Sequence, residues 1–197
     1  MSDFATAAAS LQVSLVGIAP DPDVISKSLA KGLIAKLVQT GEVDVTQDDL
    51  AQWGVAEGEL WECALANVAT DEAVVDSFVV EDALTFFHVH GEGAFIASLA
   101  LRLPDLGESI PRHGWLFMVP HRRSLWFVPL GDLSHCIAGA LIIERVADDL
   151  TDDHVPISGQ IYWTNGNRIT AVPLQDVETG EDLTNAIVST VRAGNAS

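Results

Sequence analysis

A repeated junction between a strand hairpin and a helix most limits what this chain can fold into. The residues Val-Pro-Leu-Gly-Asp at 128–132 recur as Val-Pro-Leu-Gln-Asp at 172–176, and each copy follows two apolar runs and precedes a helical pattern. A repeat at the same structural junction predicts a ββα duplication over residues 114–148 and 159–192, with a looser third copy at 78–103. Such units predict an α+β fold, with a mostly antiparallel sheet, helices on one face and N-terminal helices before it.

The chain before residue 70 is predicted to be helical. Asp21 and Pro22 are typical of a helix start, and apolar side chains then recur every fourth residue up to Gly41, at Ile25, Leu29, Leu33 and Leu37. Two shorter helices follow, one over 47–53 with a capping box of Thr46 and Asp49, and one over 57–68. We therefore predict that residues 1–70 form a helical segment packed on an α+β sheet domain of residues 71–197, within one structural domain.

Strand patterns dominate the chain after residue 71. We predict strands over 74–80 and 84–90, and hairpins over 115–119 with 125–130 and over 160–164 with 168–174. Residues 94–103 fit both a helix and a strand, and we favour the helix. Asp132 begins a predicted helix to about residue 148, and Thr179 with Asp182 begins the last helix.

The charge of the chain excludes two classes of partner. Ten Lys and Arg against 28 Asp and Glu give a net charge of −18, whereas nucleic acids and anionic membranes require a cationic face. The acidity is uneven: residues 37–101 contain 13 acidic residues and no Lys or Arg, but residues 101–130 contain four Arg and two acidic residues. A small anion or an acidic segment is therefore still allowed near residues 121–123.

The sequence also predicts a cytoplasmic protein. No Lys or Arg precedes the apolar residues 4–19, and Asp or Glu interrupts the apolar runs, so we expect neither a signal peptide nor a membrane span. The two cysteines, Cys63 and Cys136, lack the spacing of a disulfide framework or of a thiolate metal site. We expect both thiols to be reduced.

Several short motifs, in order along the chain, resemble one bacterial family. They are Asp-Leu-Ala-Gln-Trp-Gly-Val at 49–55, the helical segment 59–67, Ala-Ser-Leu at 97–99, the segment 114–123 with Val119-Pro120-x-Arg122, and Pro-Ile-Ser at 156–158 followed by Tyr162. Over about residues 25–173 the chain thus resembles the YtpQ-like family of bacterial proteins of unknown function. The resemblance implies a cytoplasmic α+β protein and supplies no activity, cofactor or catalytic residue. His121 departs from the small or polar residue expected there.

Two histidines on one predicted strand form the first candidate site. His88 and His90 are two residues apart, so their imidazoles project from the same face and can chelate one divalent metal ion. A metal-dependent hydrolase also needs a third ligand, for which we consider Glu92, His113 and His121, and an open position for water. The alternative is a strand that runs from core to rim and ends in two partly solvated histidines. Apart from this metal ion we predict no cofactor.

Basic residues in and beside one loop form the second candidate site. Arg112, His121, Arg122 and Arg123 are close in sequence within an otherwise acidic chain. The planar guanidinium fork suits carboxylate or phosphate, which indicates an anion-binding regulatory domain around Arg122 and Arg123. The alternative is that these cations pair with the protein's own carboxylates.

The third candidate is an apolar sheet face that carries Trp115, Trp126 and Trp163, all within the duplicated strands. If helices cover one face only, the other exposes large apolar groups, as an interface does. The alternative is a sheet that is covered on both sides. No nucleophile elbow, Walker loop or Rossmann fingerprint occurs. We therefore expect a non-catalytic protein-interaction or chaperone-like module that forms a homodimer or holds a partner polypeptide.

Overall fold

Two antiparallel sheets and several helices form an α+β fold, which confirms the predicted fold class. The computed structural model describes residues 4–68, 73–80, 84–106, 110–137, 156–175 and 177–196. A four-stranded sheet comes first in the chain, and a six-stranded sheet follows it.

The first sheet contains strands β1 (Gln12–Val16), β2 (Ser26–Ala30), β3 (Leu33–Gln39) and β4 (Val43–Asp44). Strand β3 lies between β1 and β2 and also pairs with β4, in each case antiparallel. Helix α1 (Phe4–Ala8) precedes the sheet, and α2 (Gln47–Trp53) and α3 (Glu57–Ala66) follow it. The predicted capping box of α2 is present, because Thr46 and Asp49 each accept a hydrogen bond from the other's backbone N–H.

The prediction of a helix over residues 21–41 is wrong, because this segment contains the hairpin of β2 and β3. A spacing of four residues is also a multiple of the two-residue period of a strand, so Leu33 and Leu37 share one face of β3. Ala35 between them is buried too, whereas Ile34 and Lys36, on the opposite face, are only partly buried. The hairpin turns at Gly32, whose φ of +72° favours glycine. Over the described residues 4–68 the chain therefore forms a sheet with three helices, not a helical segment.

The second sheet contains six strands, β5 (Val74–Val80), β6 (Leu84–His90), β7 (Trp115–Met118), β8 (Ser124–Pro129), β9 (Tyr162–Thr164) and β10 (Ile169–Ala171). Their order across the sheet is β10-β9-β7-β8-β6-β5, and neighbours are antiparallel. Two 3-10 helices, Ile96–Asp105 and Leu133–Ile137, and helix α4 (Gly180–Asn195) are the other described elements of this half. Three hairpins therefore lie side by side, with β5 at one end.

Most secondary-structure predictions for this half of the chain are confirmed. Strands 74–80 and 84–90 have the predicted bounds, the two later hairpins are present, and residues 96–105 are helical. Thr179 and Asp182 form the capping box of α4. The helix predicted from Asp132 begins as the second 3-10 helix, and its remainder to 148 lies outside the described residues. The duplication therefore stays a prediction, although β7 and β9, which open the two copies, pair with each other.

Both faces of the six-stranded sheet are buried within the chain at its central strands β7, β8 and β9. On one face, Trp115, Phe117 and Phe127 belong to a core shared with the four-stranded sheet, α3 and the first 3-10 helix. On the opposite face, Trp126 and Trp163 belong to a second core shared with one side of α4. Because residues of the two cores alternate along β7 and β8, both strands are apolar on both faces.

Candidate functional site

Strand β5 is the exposed end of the six-stranded sheet. It pairs with β6 through seven consecutive residues without a register shift, and no other strand in the described part of the chain pairs with its outer edge. Four of its apolar side chains are exposed, Val74 at 52%, Val75 at 54%, Phe78 at 36% and Val79 at 66%. A regular strand whose outer N–H and C=O groups lack a strand partner is a template for pairing with another chain.

Three side chains with metal-binding atoms meet on β5 and β6. Asp76 lies directly opposite His88 in the strand register, and His90 is on the same face of β6. One ligand atom from each of the three lies within 4.8 Å of the other two. The two histidines therefore lie together, and Asp76 joins them as a group that sequence analysis missed. The signal for Asp76 was available, because pairing segment 74–80 with 84–90 around the residues between them places it opposite His88.

The third ligands considered from the sequence lie elsewhere. Glu92 forms an ion pair with Arg123. His121 is 8% exposed, and its Nδ1 accepts a hydrogen bond from the backbone N–H of Arg123 at 3.3 Å. His113 lies in a surface hollow near the C-terminal end of α4. Among the described residues, Asp76 is therefore the one candidate third ligand that lies close to both histidines of β6.

The residues of the predicted anion site do not form one site. Arg122 and Arg123 line a cleft of about 610 Å³ between the residues after β1, strand β3 and the loop that joins β7 to β8. Arg112 instead lines the separate hollow near the end of α4. His121 is buried, and its backbone pairs with that of Pro156.

Carboxylates of the chain already pair with the cations of this cleft. The three ion pairs are Arg122 with Glu42, Arg123 with Glu92, and Lys36 with Asp44. This is the internal pairing that sequence analysis gave as the alternative to anion binding. Because partly exposed ion pairs commonly form without a function, the cleft by itself does not identify a ligand.

The three tryptophans predicted to mark an interface are core residues. Trp115, Trp126 and Trp163 are 2%, 5% and 0% exposed, and Trp163 Nε1 donates a hydrogen bond to the carbonyl of His113 at 2.8 Å. The prediction of an open face at these residues is wrong, and the alternative holds for strands β7, β8 and β9, because the chain covers both of their faces with its own elements. Among the described residues of this sheet, the exposed large apolar side chains lie on β5 instead.

Comparison of the chain with family models, with curated proteins and with solved structures finds no match. The resemblance to the YtpQ-like family therefore stays a prediction, and the site is interpreted from its geometry. Among the helices that the structure describes, none is both long and apolar enough to cross a membrane.

Proposed function

We propose that this protein is a non-catalytic binding protein that receives an extended polypeptide segment along the outer edge of strand β5. The observation that carries the proposal is the position of β5 at the end of the six-stranded sheet, with the side chains of residues 74–79 all exposed. The opposite end of the sheet is less suited to this role, because β10 has three residues and contacts β2 of the first sheet.

The backbone of β5 provides the hydrogen bonds for an added strand. In an antiparallel sheet, an edge strand directs alternate N–H and C=O groups away from its neighbour, and an extended peptide can pair with them. Proteins commonly block such edges with Pro, Lys or a bulge. Strand β5 has seven residues with no Pro or Lys among them and no register shift against β6.

The side chains of β5 define the chemistry of the segment. Val75 and Val79 lie on one face of the sheet, and Val74 and Phe78 lie on the other with the carboxylate of Asp76 between them. Apolar residues of an added strand therefore find apolar neighbours on both faces. Residues 37–101 carry 13 acidic residues and no Lys or Arg. This charge attracts a basic segment and repels a second acidic copy of the chain. We therefore commit to a segment in which apolar and basic residues alternate.

A pair of peptides tests this specificity. The full chain is titrated into a fluorescently labelled peptide of alternating Val and Lys, and into its counterpart with Glu in place of Lys, and fluorescence anisotropy gives each Kd. We expect the Lys peptide to bind at least about tenfold more tightly, which corresponds to about 1.4 kcal/mol. The preference should fall as the salt concentration rises, because the attraction is between solvent-exposed charges.

Two matched lysine variants locate the binding edge. Val79→Lys places a cation on β5 at a residue that is 66% exposed, so the fold should tolerate it while the basic peptide is repelled. Val43→Lys, on β4 of the other sheet and 61% exposed, is the control. Equal effects of the two variants, or equal affinities for the two peptides, would refute the proposal. Sedimentation of the chain alone completes the test, since a dimer that Val79→Lys dissociates would make a second copy the occupant instead.

A further inference from the structure

We propose that Asp76, His88 and His90 together bind one divalent transition-metal ion, for which Zn²⁺ is a well-suited example. The proposal is independent of the function proposed above, because it rests on three side chains and not on the outer backbone edge of β5. It concerns the face of the sheet that carries Phe78 and Trp126.

The distances within the cluster are close to those of a metal site. His90 Nε2 lies 2.9 Å from Asp76 Oδ2, and one ligand atom of each of the three residues lies within 4.8 Å of the others. Bonds of about 2.0–2.2 Å to Zn²⁺ place two ligand atoms of a tetrahedral site about 3.4 Å apart. The longest separation therefore has to shorten by at most about 1.4 Å, which small side-chain rotations can supply.

Strand β8, the other neighbour of β6, already orients one of the ligands. His88 Nε2 lies 2.9 Å from Ser124 Oγ, and Ser124 on β8 is 1% exposed. The imidazole of His88 also stacks on the indole of Trp126, with ring centroids 4.0 Å apart and planes inclined by 7°. A ligand whose ring is oriented by neighbours before the ion arrives loses less conformational freedom on binding.

The donor set selects the class of ion. Imidazole nitrogens suit Zn²⁺, Cu²⁺, Ni²⁺ and Fe²⁺, whereas Mg²⁺ and Ca²⁺ prefer oxygen ligands. The side chains of His90 and Asp76 are 38% and 52% exposed, so the ion is reached from solvent. Three protein ligands leave a fourth tetrahedral position, which water fills.

Metal content and affinity test the proposal directly. The full chain without a histidine tag is freed of metal, dialysed against Zn²⁺ or Mg²⁺, and its bound metal is measured by mass spectrometry. We expect one Zn²⁺ and no Mg²⁺ per chain. Asp76→Asn keeps the size of the side chain and removes the charged ligand. Its Zn²⁺ affinity should fall by more than the roughly 10–100-fold that loss of an outer-shell partner costs.

A histidine variant outside the cluster and a thermal measurement control the test. His113→Ala removes a histidine outside the cluster and should leave Zn²⁺ binding unchanged. Zn²⁺ should raise the melting temperature of the wild-type chain and of His113→Ala, but not that of Asp76→Asn. If His88→Ala fails to fold because it loses its stacking on Trp126, Asp76→Asn and His90→Ala still decide the question. No bound Zn²⁺ at saturation, or equal affinity in wild type and Asp76→Asn, overturns the proposal.

Discussion

The α-carbon of Gly194 on helix α4 packs directly against the indole ring of Trp163 on strand β9. A Cβ atom at Gly194 would lie 2.1 Å from Cζ3 of the ring and 2.5 Å from Cη2, far inside the usual carbon–carbon contact of about 3.5–4.0 Å. Trp163 is completely buried. The absent side chain of Gly194 therefore lets the helix approach closely enough to close this face of the sheet.

We expect Gly194→Ala to destabilise the protein by about 1–3 kcal/mol, because the added methyl group overpacks this contact. Urea unfolding followed by circular dichroism measures the change. Gly180→Ala, in the first turn of the same helix, is the matched control, since no atom beyond its chain neighbours and its own helix backbone lies within 4 Å of its added Cβ. Alanine also favours a helix over glycine by about 1 kcal/mol, so this variant should be at least as stable as wild type. If Gly194→Ala unfolds at the same urea concentration as wild type, the close packing of Gly194 on Trp163 is contradicted.

Local sequence signals predicted those parts of the fold that local interactions determine. A capping box needs only two residues three positions apart, and the boxes of Thr46 with Asp49 and of Thr179 with Asp182 are both present. The helix predicted over 21–41 failed because a four-residue spacing fits both a helix and a strand. Residues 33–39 form a strand that pairs with β1, a separate segment of the chain, and a local pattern does not report such a contact.

The candidate site was harder to predict because it depends on contacts between distant segments. The spacing of His88 and His90 places them on one face, but Asp76 becomes their neighbour only through the register of β5 with β6. Whether Trp163 is exposed or covered depends on where α4 packs. From the sequence alone, Gly194 is typical of a glycine near a helix end, so its contact with Trp163 is not predicted. Sequence patterns predicted that both faces of the sheet are apolar, but they did not predict which helices and strands cover these faces.

Tyr162 should titrate at a higher pH in the folded chain than in the unfolded chain. Burial raises the pKa of its phenol, and this outweighs the opposite effect of the hydrogen bond with Ser158. Tyr162 is the one tyrosine of the sequence, so the ultraviolet absorbance of tyrosinate reports it alone. We expect the native titration to lie above the unfolded value of about 10. Coincident titrations in buffer and in urea would contradict this prediction.

Because the pKa of Tyr162 is raised by folding, the free energy of unfolding falls at high pH. The folded chain keeps the phenol protonated. The contribution of Tyr162 to the free energy of unfolding is therefore complete below the unfolded pKa, and it is lost as the pH rises from there through the folded pKa. Tyr162→Phe removes the effect but keeps a ring beside Phe117, whose centroid is 5.4 Å away. It also deprives the Gly32 carbonyl of a donor at 3.0 Å, which should cost about 1–3 kcal/mol at neutral pH.

The thiol of Cys136 should react slowly in the folded protein. Burial, and to a smaller extent the charge of Asp132, raises the pKa of Cys136 to about 11 from 9.0. At mildly alkaline pH this lowers its thiolate fraction roughly 100-fold, and the side chain is 0% exposed as well. Labelling of Cys63→Ser with iodoacetamide, with and without urea, measures the difference. Equal labelling rates in the two conditions would contradict the burial of this thiol.

Helix α4 begins with a carboxylate whose hydrogen bonds depend on pH. Asp182 accepts hydrogen bonds from Thr179 Oγ1 at 2.7 Å and from the Thr179 N–H at 3.0 Å, and these bonds hold the pKa of Asp182 below its usual value. Because the folded pKa is lowered, the contribution is present above the unfolded pKa of about 3.9 and is lost as the pH falls through the folded pKa. Asp182→Asn should therefore be less stable than wild type at neutral pH, with the gap closing in acid.

Urea midpoints of wild type and Asp182→Asn from neutral to acid pH measure this gap. Glu181→Gln removes the neighbouring carboxylate of the same helical turn and leaves the Thr179 hydrogen bonds to Asp182 intact, so it is the matched control. Thr179→Ala removes the other half of the capping box and should cost about 1 kcal/mol at neutral pH. A gap between wild type and Asp182→Asn that stays constant down to acid pH would show that the carboxylate charge does not stabilise the start of α4.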